Sequence, residues 1–127
     1  MRISRIYADA DGGSHFADGA PPVADLRLFP QMPLFQVTRL MGANPVKLFS
    51  VPADVSVAEL HTAPERQLAV SLNGWVEYET TDGEVRRLKP GELMLVEDTW
   101  GSGHITRFDN GEQWFLHIPV PDDWHLI

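Results

Sequence analysis

The sequence predicts an all-β domain, a barrel or jelly roll of short strands. Three observations carry this. Apolar residues recur with period two, as in Phe35-Gln-Val-Thr-Arg-Leu40, the pattern of a half-buried strand. Tight-turn dipeptides punctuate the chain at Asn73-Gly74, Asp82-Gly83, Pro90-Gly91 and Asn110-Gly111. Ten prolines and ten glycines in 127 residues leave no room for long helices. Many short strands bounded by turn chemistry imply a closed or double-sheet architecture.

In chain order, Ile3 to Tyr7 reads as a first strand. Asp9-Ala-Asp-Gly-Gly13 reads as a solvated turn; the later ligands and bidentate Glu of a calcium loop are missing. Ser14 to Pro33 reads as irregular, with Pro21-Pro22 barring helix. His15, beside Phe16, is expected to be a packing or surface residue. Phe35 to Leu40 is a strand and Gly42 to Pro45 a turn. Val46 to Val51 and Val55 to His61 follow as strands, the second with Val55, Val57 and Glu59 on one face. Gln67 to Leu72 and Trp75 to Thr80 flank Asn73-Gly74, a two-residue hairpin signal. Val85 to Leu88 leads into Pro90-Gly91, which fits a type II turn. Leu93 to Val96 is a buried strand. Asn110-Gly111 closes another hairpin before the last strand, Gln113 to Val120. The count is nine or ten strands in one domain: an N-terminal strand and irregular arm over 1–33, a barrel over 34–120, and a tail over 121–127.

Composition narrows the function classes. Apolar content of 43% is that of a globular chain. There are no cysteines, which excludes disulfides and thiolate metal sites. The N-terminus lacks the apolar run of a signal peptide, and no stretch approaches a membrane span. A cytoplasmic location is expected. A net charge of −8 argues against nucleic acid and anionic membranes as partners. There is no phosphate loop and no arrangement suited to a nucleophilic serine.

Two stretches flank the central turns, His61-Thr-Ala-Pro-Glu-Arg-Gln67 and Glu97-Asp-Thr-Trp-Gly-Ser-Gly-His104. With Ile6-Tyr-Ala-Asp-Ala-Asp-Gly12 and His15-Phe16, they resemble a group of short bacterial single-domain cupins of mostly unassigned function. The first cupin motif runs Gly, five residues, His-x-His, three or four residues, Glu, six residues, Gly. Anchored on Gly74, it puts Gln67 at the Glu, Ala63 at the second His, His61 at the first, and Val55 at the leading Gly. The second motif opens at Gly91. Glu97 and Thr99 replace its Pro and Gly, its His falls two residues late at His104, and Phe108 stands in place of Asn. Two of three His are kept and the carboxylate is lost.

The resemblance implies a single-domain cupin, a double-stranded β-helix or jelly-roll barrel. It also implies a homodimer, for which Ile3–Tyr7 would be the edge-pairing strand. A divalent metal (Fe, Mn, Ni or Zn) would be held by His61, Gln67 and His104, a neutral and incomplete set. His117 or Glu59 would be a further donor. The alternative is that both imidazoles are polar barrel-lining groups bonded to each other or to water. Without metal, His61 or His104 would be the proton-transfer group. Arg66 follows the opposite face from Gln67. Turned inward by a bulge at Pro64 it would clamp a substrate carboxylate; turned outward it would pair with Glu65 or another acid. Asp98 is either a substrate contact and acid/base or a turn cap. Trp100 is either a substrate platform at the barrel mouth or a lid on its rim. The expected function is binding of a polar small molecule, by an isomerase, lyase or dioxygenase-type enzyme or by a non-catalytic binding or sensing cupin.

Overall fold

The computed structural model of the chain describes residues 1–27, 30–31, 33–38, 45–53 and 56–127, the side chains of residues 35 and 56–58 excepted. All regular structure among them is β: β1 (Ile3–Ala8), β2 (Ser14–Gly19), β3 (Val23–Leu26), β4 (Phe35–Thr38), β5 (Lys47–Val51), β6 (Ser56–His61), β7 (Gln67–Ser71), β8 (Val76–Glu79), β9 (Val85–Leu88), β10 (Leu93–Val96), β11 (His104–Phe108) and β12 (Gln113–Pro119). Among the described residues no helix is long and apolar enough to cross a membrane. The Gly42–Pro45 turn, Arg39 and Leu40 of the expected Phe35–Leu40 strand, and Val55 at the leading motif position lie wholly or largely outside the described residues.

Six strands form one sheet in the order β2-β1-β10-β7-β12-β5, four form another in the order β6-β11-β8-β9, and β3 pairs with β4 alone. Alternation along the strands sends one set of apolar side chains to the space between the two larger sheets. Ile6, Phe16, Ala69, Met94, Val96 and Phe115 come from one side, and Val76, Tyr78 and Leu88 from the other. The opposite set, Ile3, Leu68 and Leu95, packs under Val120 and Trp124 of the C-terminal tail. The central strand β7 is buried at every position.

Several expectations change. The stretch after Ser14 is not irregular: β2 pairs antiparallel with β1 over Ser14–Gly19, placing Phe16 in the core. Residues 3–8 and 14–19 therefore belong to the larger sheet, while β3 lies outside it. β1 also pairs in parallel with β10, so both its edges are used and Ile3–Tyr7 offers none to a second copy. Asn73-Gly74 does not close a hairpin. It carries the chain from β7 in one sheet to β8 in the other, and Asn110-Gly111 likewise joins β11 to β12 across the sheets. Such dipeptides specify a sharp reversal; which strand the returning chain pairs with is decided by the core it must cover. Asp82-Gly83 does join paired strands, β8 and β9. Pro90-Gly91 turns as its type demands, with Gly91 at φ 84° and Glu92 N–H donating to Lys89 O at 3.1 Å.

His15 holds the β1–β2 turn to the β8–β9 turn. Its Nε2 lies 2.6 Å from Asp9 Oδ2 and its Nδ1 2.9 Å from Asp82 Oδ2. Two carboxylates favour the imidazolium. The bond to Asp9, then that to Asp82, raises the His15 pKa. In return the bond from His15 is the main cause that lowers Asp9, and that from Thr80 is the main cause that lowers Asp82. A histidine with a raised folded pKa stabilises fully below its unfolded value and loses that contribution as pH rises through the folded one. The two carboxylates contribute above their unfolded values and lose it in stronger acid. His15→Ala should therefore lower the melting temperature more at about pH 5.5 than at about pH 9, as thermal unfolding followed by circular dichroism would show. An equal drop at both pH values would mean that the imidazolium contributes nothing.

Candidate functional site

The six- and four-stranded sheets part at one end to leave a cavity of about 220 Å³. Its polar end is built by a strand pairing. His61 closes β6 and His104 opens β11, and the two stand opposite each other in the antiparallel register. Directly opposed residues point to the same face. The two imidazole centroids are accordingly 4.7 Å apart. The register shifts between His104 and Thr106, an irregularity of the kind that re-aims side chains near sites. Gln67, the first residue of β7, enters from the facing sheet between Val96 and Pro119.

The approach of His104 depends on Gly103. This residue has φ 78°, and a Cβ there would run into the carbonyl of His61 and meet Thr62 N at 2.7 Å. Only glycine permits both the conformation and the contact.

Both imidazoles are anchored at Nδ1. His104 Nδ1 lies 2.6 Å from Asp98 Oδ2, with both side chains almost wholly buried. His61 Nδ1 lies 3.2 Å from Glu59 O. A carbonyl oxygen accepts only, so His61 donates from Nδ1 and keeps its lone pair at Nε2. Asp98 favours the same arrangement in His104. Gln67 Oε1 is buried without a hydrogen-bond partner, and so is Asp98 Oδ1. Leaving such an acceptor unpaired costs about 1–3 kcal/mol. The polar end thus holds two imidazole nitrogens with lone pairs and the Gln67 amide, which has both an acceptor oxygen and an N–H₂ donor.

The rest of the cavity is mostly apolar, with Thr62, Tyr78, Thr106 and His117 among its lining residues. Phe49 stacks on Phe115 at 5.5 Å, and Phe108 meets Phe115 edge-on at 5.6 Å. His117 also lines the cavity, with its ring edge-on to Phe49 at 4.6 Å. Burial, reinforced by the charge of Lys47, pushes its pKa down to about 4. Tyr78 lines the wall beside His104, and burial raises its phenol pKa.

The structure thus brings together His61, Gln67 and His104, with His117 on the same cavity. It does not bring Arg66 or Trp100 there. Arg66 points to the outer face, where Nη2 and Nε grip Glu97 Oε2 at 2.6 and 2.9 Å and Nη1 donates to Pro121 O. Residues 64–66 form a bend ahead of β7, and it leaves Arg66 on the outer face. Trp100 is 54% exposed and sits beside Gly12, outside the cavity lining. Asp98 lies beneath His104 as its hydrogen-bond acceptor, and its own contact is with the imidazole. Glu59 reaches His61 only through its backbone carbonyl. Ala63 lines the cavity and has no donor atom to offer. The phenylalanine wall was missed by sequence reasoning. Phe49 and Phe115 do fall on inward-facing strand positions, but period two alone does not separate cavity from core. Nothing local links Asp98 to His104.

No group of three or more His, Cys, Asp or Glu among the described residues is placed to hold a metal. The donor set at hand is two imidazoles and one amide. No family model matches the chain, and no curated protein does either.

Because His117 is held neutral, the unfolded chain takes up a proton there that the folded chain refuses between about pH 6.5 and its lowered value. Stability therefore falls as pH falls through that window. His117→Gln should reduce the loss of stability between about pH 7 and pH 4.5, measured by urea denaturation. An unchanged acid slope would show that His117 is not buried as described.

Proposed function

We propose that the chain is a small cupin-type jelly roll that binds a small organic molecule in the cavity and accepts a proton from it at His104. The strand order supports the fold. Strands β5 to β12 divide into two four-strand sets, β10-β7-β12-β5 and β6-β11-β8-β9, and each step along the chain changes set except that from β8 to β9. Such a division of eight strands is compatible with a double Greek key. The resemblance at His61–Gln67 and at Glu97–His104 falls on the two segments that meet at the polar end.

The observation that carries the function is the buried Asp98–His104 pair, whose imidazole lines the cavity together with Gln67 and His61. A fully buried carboxylate is costly, and a wall that only encloses a ligand has no use for it. Behind an imidazole it fixes the ring, leaves the lone pair at Nε2, and stabilises the imidazolium that forms when Nε2 takes a proton. Gln67 Oε1 and His61 Nε2 supply acceptors that orient the group giving up the proton. The aromatic wall excludes water from one side, which strengthens each of these contacts.

The two imidazole lone pairs and the amide oxygen favour a second reading, in which His61, Gln67 and His104 hold a divalent cation. A carboxylate behind a metal-bound histidine is the usual outer partner, and Asp98 is so placed. Such an ion would supply Lewis-acid polarisation of a coordinated oxygen.

Nitrogen-15 NMR of the imidazoles tests both readings. In the metal-free protein at about pH 8, His104 should carry its proton on Nδ1 and leave Nε2 bare. Asp98→Asn should abolish this tautomer preference while the strand signals persist. A His104 protonated at Nε2 would end the proton-acceptor reading. Addition of Zn²⁺ should shift His61 and His104 together, and Gln67→Glu should tighten binding by about tenfold or more, since it adds a negative ligand. If neither imidazole responds even in Gln67→Glu, the metal reading fails.

A further inference from the structure

Resting on the cavity-binding reading, we infer that the site takes a neutral single-ring compound bearing a hydroxyl group, a phenol, with its O–H at the His61–Gln67–His104 end and its ring among Phe49, Phe108 and Phe115. Four observations point there.

The first is the demand for a donor. Gln67 Oε1 is buried, 3% exposed as a residue, and unpartnered. The Gln67 amide carries both an acceptor and an N–H₂ donor, whereas the lone pairs inferred for the His61 and His104 imidazoles accept only, so the group that satisfies them must bring a hydrogen. A hydroxyl donates one hydrogen and still accepts; a carboxylate has none to give.

The second is charge. Asp98 already places a carboxylate directly behind His104. Among the described lining residues there is no Arg or Lys, and the arginine nearest in sequence to Gln67 is committed to Glu97 and the C-terminal tail. His117 stays neutral above about pH 4 and supplies no positive charge. An anionic ligand would be desolvated beside a buried carboxylate with no compensating partner on these residues.

The third is shape. Phe49 and Phe115 lie nearly parallel, 14° apart, and Phe108 closes at 80° to Phe115. This is a wall against which an aromatic ring packs offset or edge-on. The fourth is size. At about 220 Å³ the cavity falls below the roughly 300–1,000 Å³ of clefts that hold drug-sized ligands, and one substituted ring fits that scale.

The chemistry agrees with the reading on which it rests. A free phenol titrates near pH 10, so its O–H reaches the site intact and stands as the hydrogen donor to His104 Nε2.

Isothermal titration calorimetry on the full chain, dialysed against EDTA so that no metal contributes, tests this with three probes: 4-methylphenol, 4-methylanisole and 4-methylbenzoate. The expected order is 4-methylphenol tightest, with the ether and the carboxylate each about tenfold weaker or more, because a site with buried unpaired acceptors rejects analogues that lack the donor. His104→Phe, which removes the acceptor that takes the phenol's hydrogen, should bring phenol and ether to within about threefold. If that variant does not fold, the same contact is read in the wild type, where 4-methylphenol must shift the His104 imidazole nitrogen signals. Benzoate binding as well as phenol, or the ether equalling phenol, overturns the assignment of ligand class while leaving the cavity as a binding site. No binding by any of the three at millimolar concentration overturns the cavity-binding reading as well.

Discussion

The close approach of Gly103 to the backbone of His61 sets the geometry on which the site depends. No other residue fits there, so the segment between β10 and β11 lies flat against the end of β6. That contact delivers His104 opposite His61. The segment is held on its other side by the first turn of the chain. Ser102 N–H donates to Gly12 O at 2.8 Å, and Ser14 Oγ donates to Gly103 O at 2.7 Å. Ala63 N–H in turn donates to Asp98 O at 3.1 Å. The Asp9–Gly13 turn, far from both motifs in sequence, thus buttresses the loop that carries Asp98 and His104. His15 and its two carboxylates tie that buttress to the β8–β9 turn.

Glu97 and Asp98 show how position divides the work of two adjacent carboxylates. Where β10 ends, Glu97 leaves on the outer face and Asp98 on the inner. Glu97 takes Arg66 at 2.6 Å and Arg5 at 2.8 Å. Arg66 also holds Pro121 O and Trp124 O, so the pair fastens the C-terminal tail over Ile3, Leu68 and Leu95. An arginine placed beside a motif position therefore serves the fold, and its charge is cancelled far from the cavity. Among the described residues no Arg or Lys pairs with Asp98. Its partner is His104, and the low-dielectric surroundings strengthen that one bond.

The cavity occupies the end of a core that is otherwise continuous. Phe115 belongs both to the core cluster and to the aromatic wall, so the ligand space is a place where core packing stops. Unfilled space and unpaired acceptors lower stability. The neighbouring buried strand β7, hydrogen-bonded on both sides by β10 and β12, is the rigid element that offsets this cost and holds Gln67 still. A polar site is most precise when it stands on such a strand.

The sequence by itself determined the β class, most strand positions and the residues at the polar end. Strands reveal themselves through alternation, turns through Gly, Pro and Asn chemistry, and the histidines through their place in two motif-like segments. It determined nothing about which strands would pair. Asn73-Gly74 and Asn110-Gly111 mark reversals equally well whether the chain returns within a sheet or crosses to the other one. It also missed the strands β2 and β3, because Pro21-Pro22 and the glycines dominate the local pattern while tertiary pairing with β1 and β4 supplies the order. The roles of Arg66, Asp98 and Trp100 were decided only in three dimensions. Each depends on which face its strand or loop presents and on what the rest of the chain places there. Arg66 meets Glu97, 31 residues away, and Asp98 meets His104 across a loop. Local sequence fixes conformation over a few residues, whereas burial and pairing of charges are properties of neighbours brought together by the whole fold.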